Sequence, residues 1–136
     1  MSLFVDTSAF YAAADVGDRS HARAMDLLRA PALVTSDHVL VESWVLLRAR
    51  GGRAAAERFW DAMRGGLATI ETVLPGDLEA AWQIGKAFPD QDFSIVDRTS
   101  FSLMERIGVT EVASFDDDFA IYRYGPRRDR AFDLKR

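Results

Sequence analysis

Residues 2–8 read SLFVDTS, and this short stretch decides the fold class. The apolar run Ser2–Val5 has the length and composition of a buried strand, and it ends at a carboxylate, Asp6. The alanine-rich segment Thr7–Ala14 follows at once and predicts a helix. A buried strand that leads directly into a helix is typical of the parallel sheets of α/β proteins.

The same alternation continues along the rest of the 136-residue chain. Further strands are predicted at Leu33–Thr35, Leu67–Val73, Val109–Ser114 and Ala131–Leu134. Helices are predicted at His21–Arg29, from Ser36 or Asp37 to Arg50, and at Arg53–Met63, Asp77–Phe88, Ser94–Ile107 and, as one short turn, Asp117–Tyr122. Because no repeat or long linker interrupts the pattern, we expect one α/β domain, residues 1–136, around a mostly parallel sheet.

Two carboxylates follow predicted strands directly. Asp6 comes after Ser2–Val5, and Asp116 comes just after the strand that ends near Ser114. In open α/β sheets, ligands bind beyond the carboxyl ends of the strands. We therefore expect Asp6 and Asp116 at the binding edge of the sheet.

Two more carboxylates interrupt apolar helices. Glu42 lies within VLVESWVLL, in a predicted helix that is apolar on most faces and is therefore expected to be buried. Asp97 lies within FSIVDRTSF, in the first turn of the next-to-last predicted helix, where the helix dipole contributes only about 0.3–1 kcal/mol. Burying an unpaired carboxylate costs several kcal/mol, so both residues call for a cation.

Each carboxylate alone also has an ordinary structural explanation. Asp6 could cap a helix, and Asp116 could be a turn residue in the run Asp116-Asp117-Asp118. Glu42 could pair with a buried arginine. Asp97 could pair with Arg98 or reach solvent. Only the conjunction of all four positions favours a shared site.

The residue types available restrict the metal that such a site would hold. The chain has no cysteine, and its two histidines, His21 and His38, have no partner at metal-ligand spacing. We expect His21 on a helix surface and His38 in a structural role. A cluster of carboxylates favours a hard cation, Mg²⁺ or Mn²⁺, over zinc.

Composition and charge limit the class of protein further. The chain is 49% hydrophobic and has neither a signal-like N-terminus nor an apolar run long enough to cross a membrane, so we expect a cytoplasmic protein without membrane contact. The net charge of −4 argues against nucleic acid, but without the four carboxylates the remaining charges balance. Two groups of basic residues are then candidates for phosphate contacts or for solvated surface: Arg48, Arg50, Arg53 and Arg58; and Arg123, Arg127, Arg128, Arg130, Lys135 and Arg136.

Four segments, in order, resemble the motifs of PIN-domain ribonucleases, and especially those of the toxins of VapBC-type toxin–antitoxin pairs. They are FVDTSAFYA (4–12), LVESWVLL (40–47), DFSIVDRTSFSLMERIGV (92–109) and VASFDDDF (112–119). The resemblance implies a three-layer α/β/α fold and metal-binding acids at Asp6, Glu42, Asp97 and Asp116, with Asp118 as an additional or alternative ligand. It also implies a supporting role for the hydroxyls of Thr7 or Ser8 and of Ser114.

The resemblance further implies a Mg²⁺- or Mn²⁺-dependent endoribonuclease that cleaves RNA with a metal-activated water. Such toxins usually form homodimers and are inhibited by a small antitoxin protein. The aromatic residues available for those surfaces, Trp44, Phe59, Trp60 and Trp82, are individually more typical of a core.

Two other functions remain open on the sequence. A receiver-like phosphoacceptor domain also gathers aspartates at strand ends. It needs paired acids after the first strand and a lysine after a late strand, whereas Asp6 is followed by Thr7-Ser8 and the only lysines are Lys86 and Lys135. A non-catalytic PIN-like binding module would share the fold, although the presence of all four acids argues against lost activity. No feature of the sequence decides between RNA and DNA as substrate.

Overall fold

The apolar run at the N-terminus becomes the central strand of a five-stranded sheet in the computed structural model, which describes residues Met1–Arg136. The strands are β1 (Leu3–Val5), β2 (Leu33–Ser36), β3 (Thr69–Glu71), β4 (Glu111–Ala113) and β5 (Asp133–Lys135). Their order is β3-β2-β1-β4-β5, and every neighbouring pair is parallel. The prediction of a mostly parallel sheet is confirmed, and the sheet proves to be wholly parallel.

Seven helices connect the strands: α1 (Thr7–Ala14), α2 (His21–Leu27), α3 (Asp37–Gly51), α4 (Arg53–Arg64), α5 (Pro75–Ala87), α6 (Ile95–Ile107) and α7 (Asp118–Ile121). Parallel crossovers are almost always right-handed. The connections from β1 to β2 and from β2 to β3 run in one direction across the sheet. The connections from β3 to β4 and from β4 to β5 run in the other direction. Helices α1–α4 therefore cover one face, and α5–α7 cover the opposite face. The result is the expected three-layer α/β/α arrangement.

Most predicted elements are present, with shifted boundaries. The helix predicted from Asp77 begins two residues earlier, because Pro75 fits the first turn; Asp77 is the third residue of α5 and accepts a hydrogen bond from the Leu74 N–H at 2.8 Å. The strand predicted over Leu67–Val73 shrinks to Thr69–Glu71, because its flanks bond outside the sheet: the Leu67 N–H donates to the Ala62 carbonyl and the Val73 N–H to the Asp37 carboxylate.

The hydrophobic core is one cluster of 25 buried residues that spans both faces of the sheet. Phe4, Val5 and Val112 of the central strands are fully buried. On the α6 face, the Phe101 and Tyr122 rings stack with centroids 4.1 Å apart, and Phe132 before β5 packs against the same group. Burial of such aromatic side chains contributes about 1.5–3 kcal/mol each and holds the ends of β1 and β4 in fixed register.

Two expectations about burial are wrong. Helix α3 is not buried on most faces: it buries Val39, Ser43 and Leu47, whereas Val41 and Val45 are 61% and 56% exposed. The cause is that α3 packs with one side on the sheet and α1, and a second side on α4, which leaves an outer face without a partner.

The second expectation concerns the four aromatic residues Trp44, Phe59, Trp60 and Trp82, which differ in burial. Phe59 is in the core and Trp44 is half-buried, but Trp60 and Trp82 are 46% and 60% exposed, so the core interpretation fails for these two. None of the helices has the length and apolar character that spanning a membrane requires.

Candidate functional site

Asp6 lies at the switch point of the sheet, where the chain order reverses between β1 and β4. It follows β1 directly and its side chain is 1% exposed. Although Asp6 occupies the N-cap position of α1, its side chain makes no capping hydrogen bond. It accepts hydrogen bonds from the hydroxyls of Ser114 at 2.9 Å and Ser8 at 3.2 Å instead. The helix-cap explanation of this aspartate is therefore wrong.

Ser8 and Ser114 join the ends of the two central strands. Their hydroxyl oxygens are 3.2 Å apart. The Phe115 N–H donates to Ser8 at 2.9 Å, and the Asp116 N–H donates to Ser114 at 3.2 Å. One hydroxyl pair thus fixes both the Asp6 carboxylate and the turn that carries Asp116.

Thr7 has a different environment from its neighbour Ser8. Its hydroxyl is buried and has no hydrogen-bond partner within 3.5 Å. It faces Glu42 nevertheless, and its proximity lowers the pKa of that carboxyl against the larger effect of burial. Thr7 therefore has an unused donor directed at the carboxylate of α3.

Asp97 is the third residue of α6, and it forms a capping box with Ser94. The Ser94 N–H donates to Asp97 at 3.0 Å and the Asp97 N–H donates to the Ser94 hydroxyl at 3.0 Å. Arg98 does not pair with it: its guanidinium points to α5 and donates to the Ala81 carbonyl at 3.3 Å. The hydrogen bond from Ser94 therefore orients the Asp97 carboxylate, and no cationic side chain neutralises its charge.

Glu42 and Asp116 both lie within the electrostatic field of Asp97. Burial raises the pKa of Glu42, and the charges of Asp97 and Asp116 raise it further. Burial also raises the pKa of Asp116, followed by the charges of Asp97 and Asp117. Residues from α3, α6 and the turn after β4 are therefore close enough to repel one another.

The strongest shifts belong to Asp6 and Asp118. Burial, followed by the charge of Asp116, raises the pKa of Asp6 to about 7, against the opposing hydrogen bond from Ser114. Burial raises the pKa of Asp118 to about 7 as well, followed by a hydrogen bond with Asp97 and the charge of that residue. Both effects require the Asp118 and Asp97 side chains to lie near each other.

None of these five carboxylates forms a salt bridge: Asp6, Glu42, Asp97, Asp116 and Asp118. Other acids of the molecule do. Asp77 is 3% exposed, and the Arg106 guanidinium, 2.9 Å away, contributes to a pKa below its usual range despite burial. Asp117, inside the same acidic run, pairs with Arg136 at 2.8 Å. A buried arginine as partner of Glu42 is therefore also ruled out.

The donor set fits a hard divalent cation, although no three His, Asp or Glu side chains converge tightly enough to enclose one. Five carboxylates without counter-ions repel each other, and a cation is the group that would draw them together. The histidines are engaged elsewhere, His38 with the Thr99 hydroxyl at 3.3 Å and His21 with the Ala12 carbonyl at 2.9 Å. His21 is thus half-buried rather than on a free helix surface.

A cleft of about 510 Å³ opens beside the acids. Its lining includes the acids Glu42 and Asp116, the arginines Arg19 and Arg50, and Tyr11. Arg50 belongs to a basic group visible in the sequence. Arg19 does not, and no spacing or periodicity pointed to it.

Comparison with known proteins gives the family. A model of the PIN domain matches residues 3–123. The chain belongs to the PIN-domain family. It is 35% identical over 120 residues to the 23S rRNA-specific endonuclease VapC20 of Mycobacterium tuberculosis, in both strain CDC 1551 / Oshkosh and strain ATCC 25618 / H37Rv, and the match covers 87% of this chain and 92% of the relative.

The fold comparison agrees with this PIN-domain assignment. The crystal structure of M. tuberculosis VapC20, described as a Sarcin-Ricin loop cleaving toxin, superimposes with a TM-score of 0.82 at 34% identity, over 87% of this chain and 92% of that one. The prediction of a PIN-domain nuclease of the toxin–antitoxin type is confirmed. The family match also favours the nuclease over the receiver-like alternative.

Proposed function

We propose that this PIN-domain protein is the toxin of a type II toxin–antitoxin pair and cleaves RNA with Mg²⁺ or Mn²⁺ bound by its carboxylates. The observation that carries the proposal is the group of five acids without a cationic partner, on a molecule whose other buried aspartate, Asp77, has one. A protein retains such a costly arrangement when a cation completes it.

In this proposal, Asp6, Glu42 and Asp97 hold the ion directly or through water, and Asp116 holds that ion or a second one. Asp118, whose pKa is raised by the nearby Asp97, would be the additional ligand. A metal ion held there would supply a nucleophilic water at neutral pH and would neutralise charge on the phosphate. Ser8 and Ser114 orient Asp6, and Thr7 offers its free hydroxyl to Glu42.

The substrate and partners follow from the relatives. VapC20 is described as acting on 23S rRNA, which supports RNA as the substrate and the cytoplasm as the compartment. Toxins of this type imply a VapB-type antitoxin that covers the acidic cleft. Exposed apolar side chains on α3, α4 and α5, including Val41, Trp60 and Trp82, support a homodimer, which sedimentation velocity would detect.

The decisive experiment is cleavage of single-stranded RNA by the purified protein with Mg²⁺ or Mn²⁺. Replacing Asp6→Asn or Asp97→Asn is expected to lower the rate by more than about 100-fold, because even supporting residues of metal sites contribute 10–100-fold. The matched control is Asp117→Asn, which lies in the same acidic run but pairs with Arg136, and should cleave like the parent.

Parental rates in either site variant would refute the assignment. Calorimetry with Mn²⁺ tests the alternative of a non-catalytic module, which should show no carboxylate-dependent binding. Single-stranded DNA in the same assay tests the preference for RNA.

A further inference from the structure

Two arginines of the cleft, Arg19 and Arg50, have no acidic partner. Neither forms a salt bridge, although other exposed arginines such as Arg23 and Arg53 do. Neither donates a side-chain hydrogen bond, whereas Arg98 and Arg106 each donate several. The cleft therefore presents free guanidinium groups beside a centre of negative charge.

Arg50 is held in place without using its hydrogen-bond donors. Its guanidinium lies over the Tyr11 ring, 5.1 Å from the centroid. The Tyr11 hydroxyl donates to Asp15 at 3.0 Å, which fixes the ring. A cation–π contact of this kind orients the guanidinium and leaves its N–H groups available to an anion.

The geometry of α3 sets the distance between the two charges. Glu42, Leu46 and Arg50 lie at intervals of four residues and all line the cleft. At 1.5 Å per residue, Arg50 stands about 12 Å further along the helix axis than Glu42. One helix thus carries a carboxylate at one part of the cleft wall and a cation at another.

Arg19 approaches from the turn between α1 and α2. The neighbouring Asp18 accepts a hydrogen bond from the Ser20 N–H at 2.8 Å, which shapes this turn, and all three residues line the cleft. Asp18 does not pair with either arginine. Apart from the site acids Glu42 and Asp116, the cleft lining therefore carries two cations against one carboxylate.

We propose that Arg19 and Arg50 are positioning residues that bind a phosphate of the RNA strand next to the one that is cleaved. This inference rests on the proposed function, since it places the cleaved phosphate at the carboxylates. A neighbouring phosphate, beyond the reach of the metal, needs a cation from the protein, and Arg19 and Arg50 supply it. Guanidinium groups suit this role because their planar donors match phosphate oxygens.

The test measures RNA cleavage by Arg19→Ala, Arg50→Ala and the double variant, with the antitoxin absent. We expect KM to rise about 5- to 20-fold for each single variant with kcat within twofold of the parent. Each lost phosphate contact should reduce the slope of log affinity against log salt by about 0.7 for single-stranded RNA. Arg50→Lys, which keeps the charge, should recover part of the loss.

The matched control is Arg64→Ala, an exposed arginine at the end of α4 and outside the cleft, which should leave KM and the salt slope unchanged. Calorimetry with Mn²⁺ distinguishes the loss of phosphate binding from damage to the metal site, because the arginine variants should bind the ion with the affinity of the parent. Weakened Mn²⁺ binding would overturn the proposal.

Two outcomes distinguish this inference from the proposed function. If the parent does not cleave RNA, the proposed function fails. If the parent cleaves and the arginine variants have parental KM and salt slope, only this inference is wrong. If the arginine substitutions weakened the binding of an oligoglutamate peptide but not that of RNA, the cleft would be a site for an acidic peptide. That result would also overturn the inference.

Discussion

Asp6 and Asp77 show how the same buried side chain can serve two purposes. Both are almost inaccessible, at 1% and 3% exposed. Asp77 receives a guanidinium and keeps a low pKa, whereas Asp6 receives only hydroxyl groups, which stabilise a charge without neutralising it. The ion pair with Arg106 therefore makes Asp77 a structural residue, and the lack of one leaves Asp6 available for a cation.

The hydroxyl of Ser114 is the contact that we expect to matter most to Asp6. Ser114→Ala removes the 2.9 Å hydrogen bond to Asp6 and the acceptor of the Asp116 N–H. Residues that orient metal ligands typically contribute 10–100-fold to metal affinity, so Mn²⁺ binding measured by calorimetry should weaken by about that factor.

The control for this substitution is Ser102→Ala. Ser102 is also buried, but its hydroxyl donates to the Arg98 carbonyl within α6 and lies away from the acids. It should bind Mn²⁺ with the affinity of the parent. If Ser114→Ala did the same, the hydroxyl would have no role in orienting Asp6.

Some site residues were predicted from the sequence by a correct physical argument, and one by an argument that the structure contradicts. Asp6 and Asp116 were expected from strand ends, and the structure places them at the switch point for that physical reason. Glu42 was expected because α3 was predicted to be apolar on most faces and therefore buried, which is wrong, although Glu42 does lie near Asp97 and Asp116. Arg19 was not expected at all, because a residue in an irregular turn has no periodicity that reveals its neighbours.

At the scale of elements, the contact between α5 and α6 keeps the Arg98 guanidinium away from Asp97. Gly85 has no side chain, and a Cβ at this position would collide with the Arg98 guanidinium. The open space lets Arg98 extend across α5 to the Ala81 carbonyl. The pairing of Arg98 with Asp97 that the sequence allowed is thereby avoided, and only the packing of two helices distant in sequence explains it.

We therefore expect Gly85→Ala to act differently in two backgrounds. Glycine within a helix costs roughly 0.5–1 kcal/mol relative to alanine, so the substitution alone should stabilise α5. In the parent it also displaces Arg98 and its hydrogen bond, worth about 1 kcal/mol, and the net change in the free energy of unfolding should be near zero. In an Arg98→Ala background, the full gain should appear.

Urea denaturation of the four proteins measures this coupling as a double-mutant cycle. Equal effects of Gly85→Ala in both backgrounds would show that Arg98 is not held by the space at Gly85.

At the scale of the whole molecule, the acidic net charge originates in the site. Removing the four carboxylates Asp6, Glu42, Asp97 and Asp116 from the 21 acidic residues leaves 17 against 17 basic ones. The sequence predicted this balance and the parallel sheet, because they follow from composition and from the alternation of elements, whereas the three layers were implied by the resemblance to PIN domains. It did not predict the exposed Trp60 and Trp82 or the strand order, since these depend on which distant segments meet.

The site acids should make the stability of the metal-free protein depend on pH. Asp6 and Asp118 have folded-state pKa values of about 7, against 3.8 for an ordinary aspartate. Between these values the native state binds more protons than the unfolded state, so stability falls as pH rises from about 4 to 7 and stays low above it. The lowered pKa of Asp77 acts in the opposite direction, but only below about pH 4.

Thermal unfolding in the presence of a chelator should therefore give a Tm several degrees higher at pH 5.5 than at pH 8, since about 1 kcal/mol corresponds to roughly 2–8 °C in a domain of this size. Asp6→Asn should reduce this difference and raise the Tm at pH 8, because the buried charge is gone. Saturating Mg²⁺ should reverse the trend, since the ion binds deprotonated carboxylates and stabilises the folded state more at pH 8 than at pH 5.5. If the parent and Asp6→Asn show the same pH dependence without metal, and Mg²⁺ raises both Tm values equally, the acids do not form the coupled cation site that the function requires.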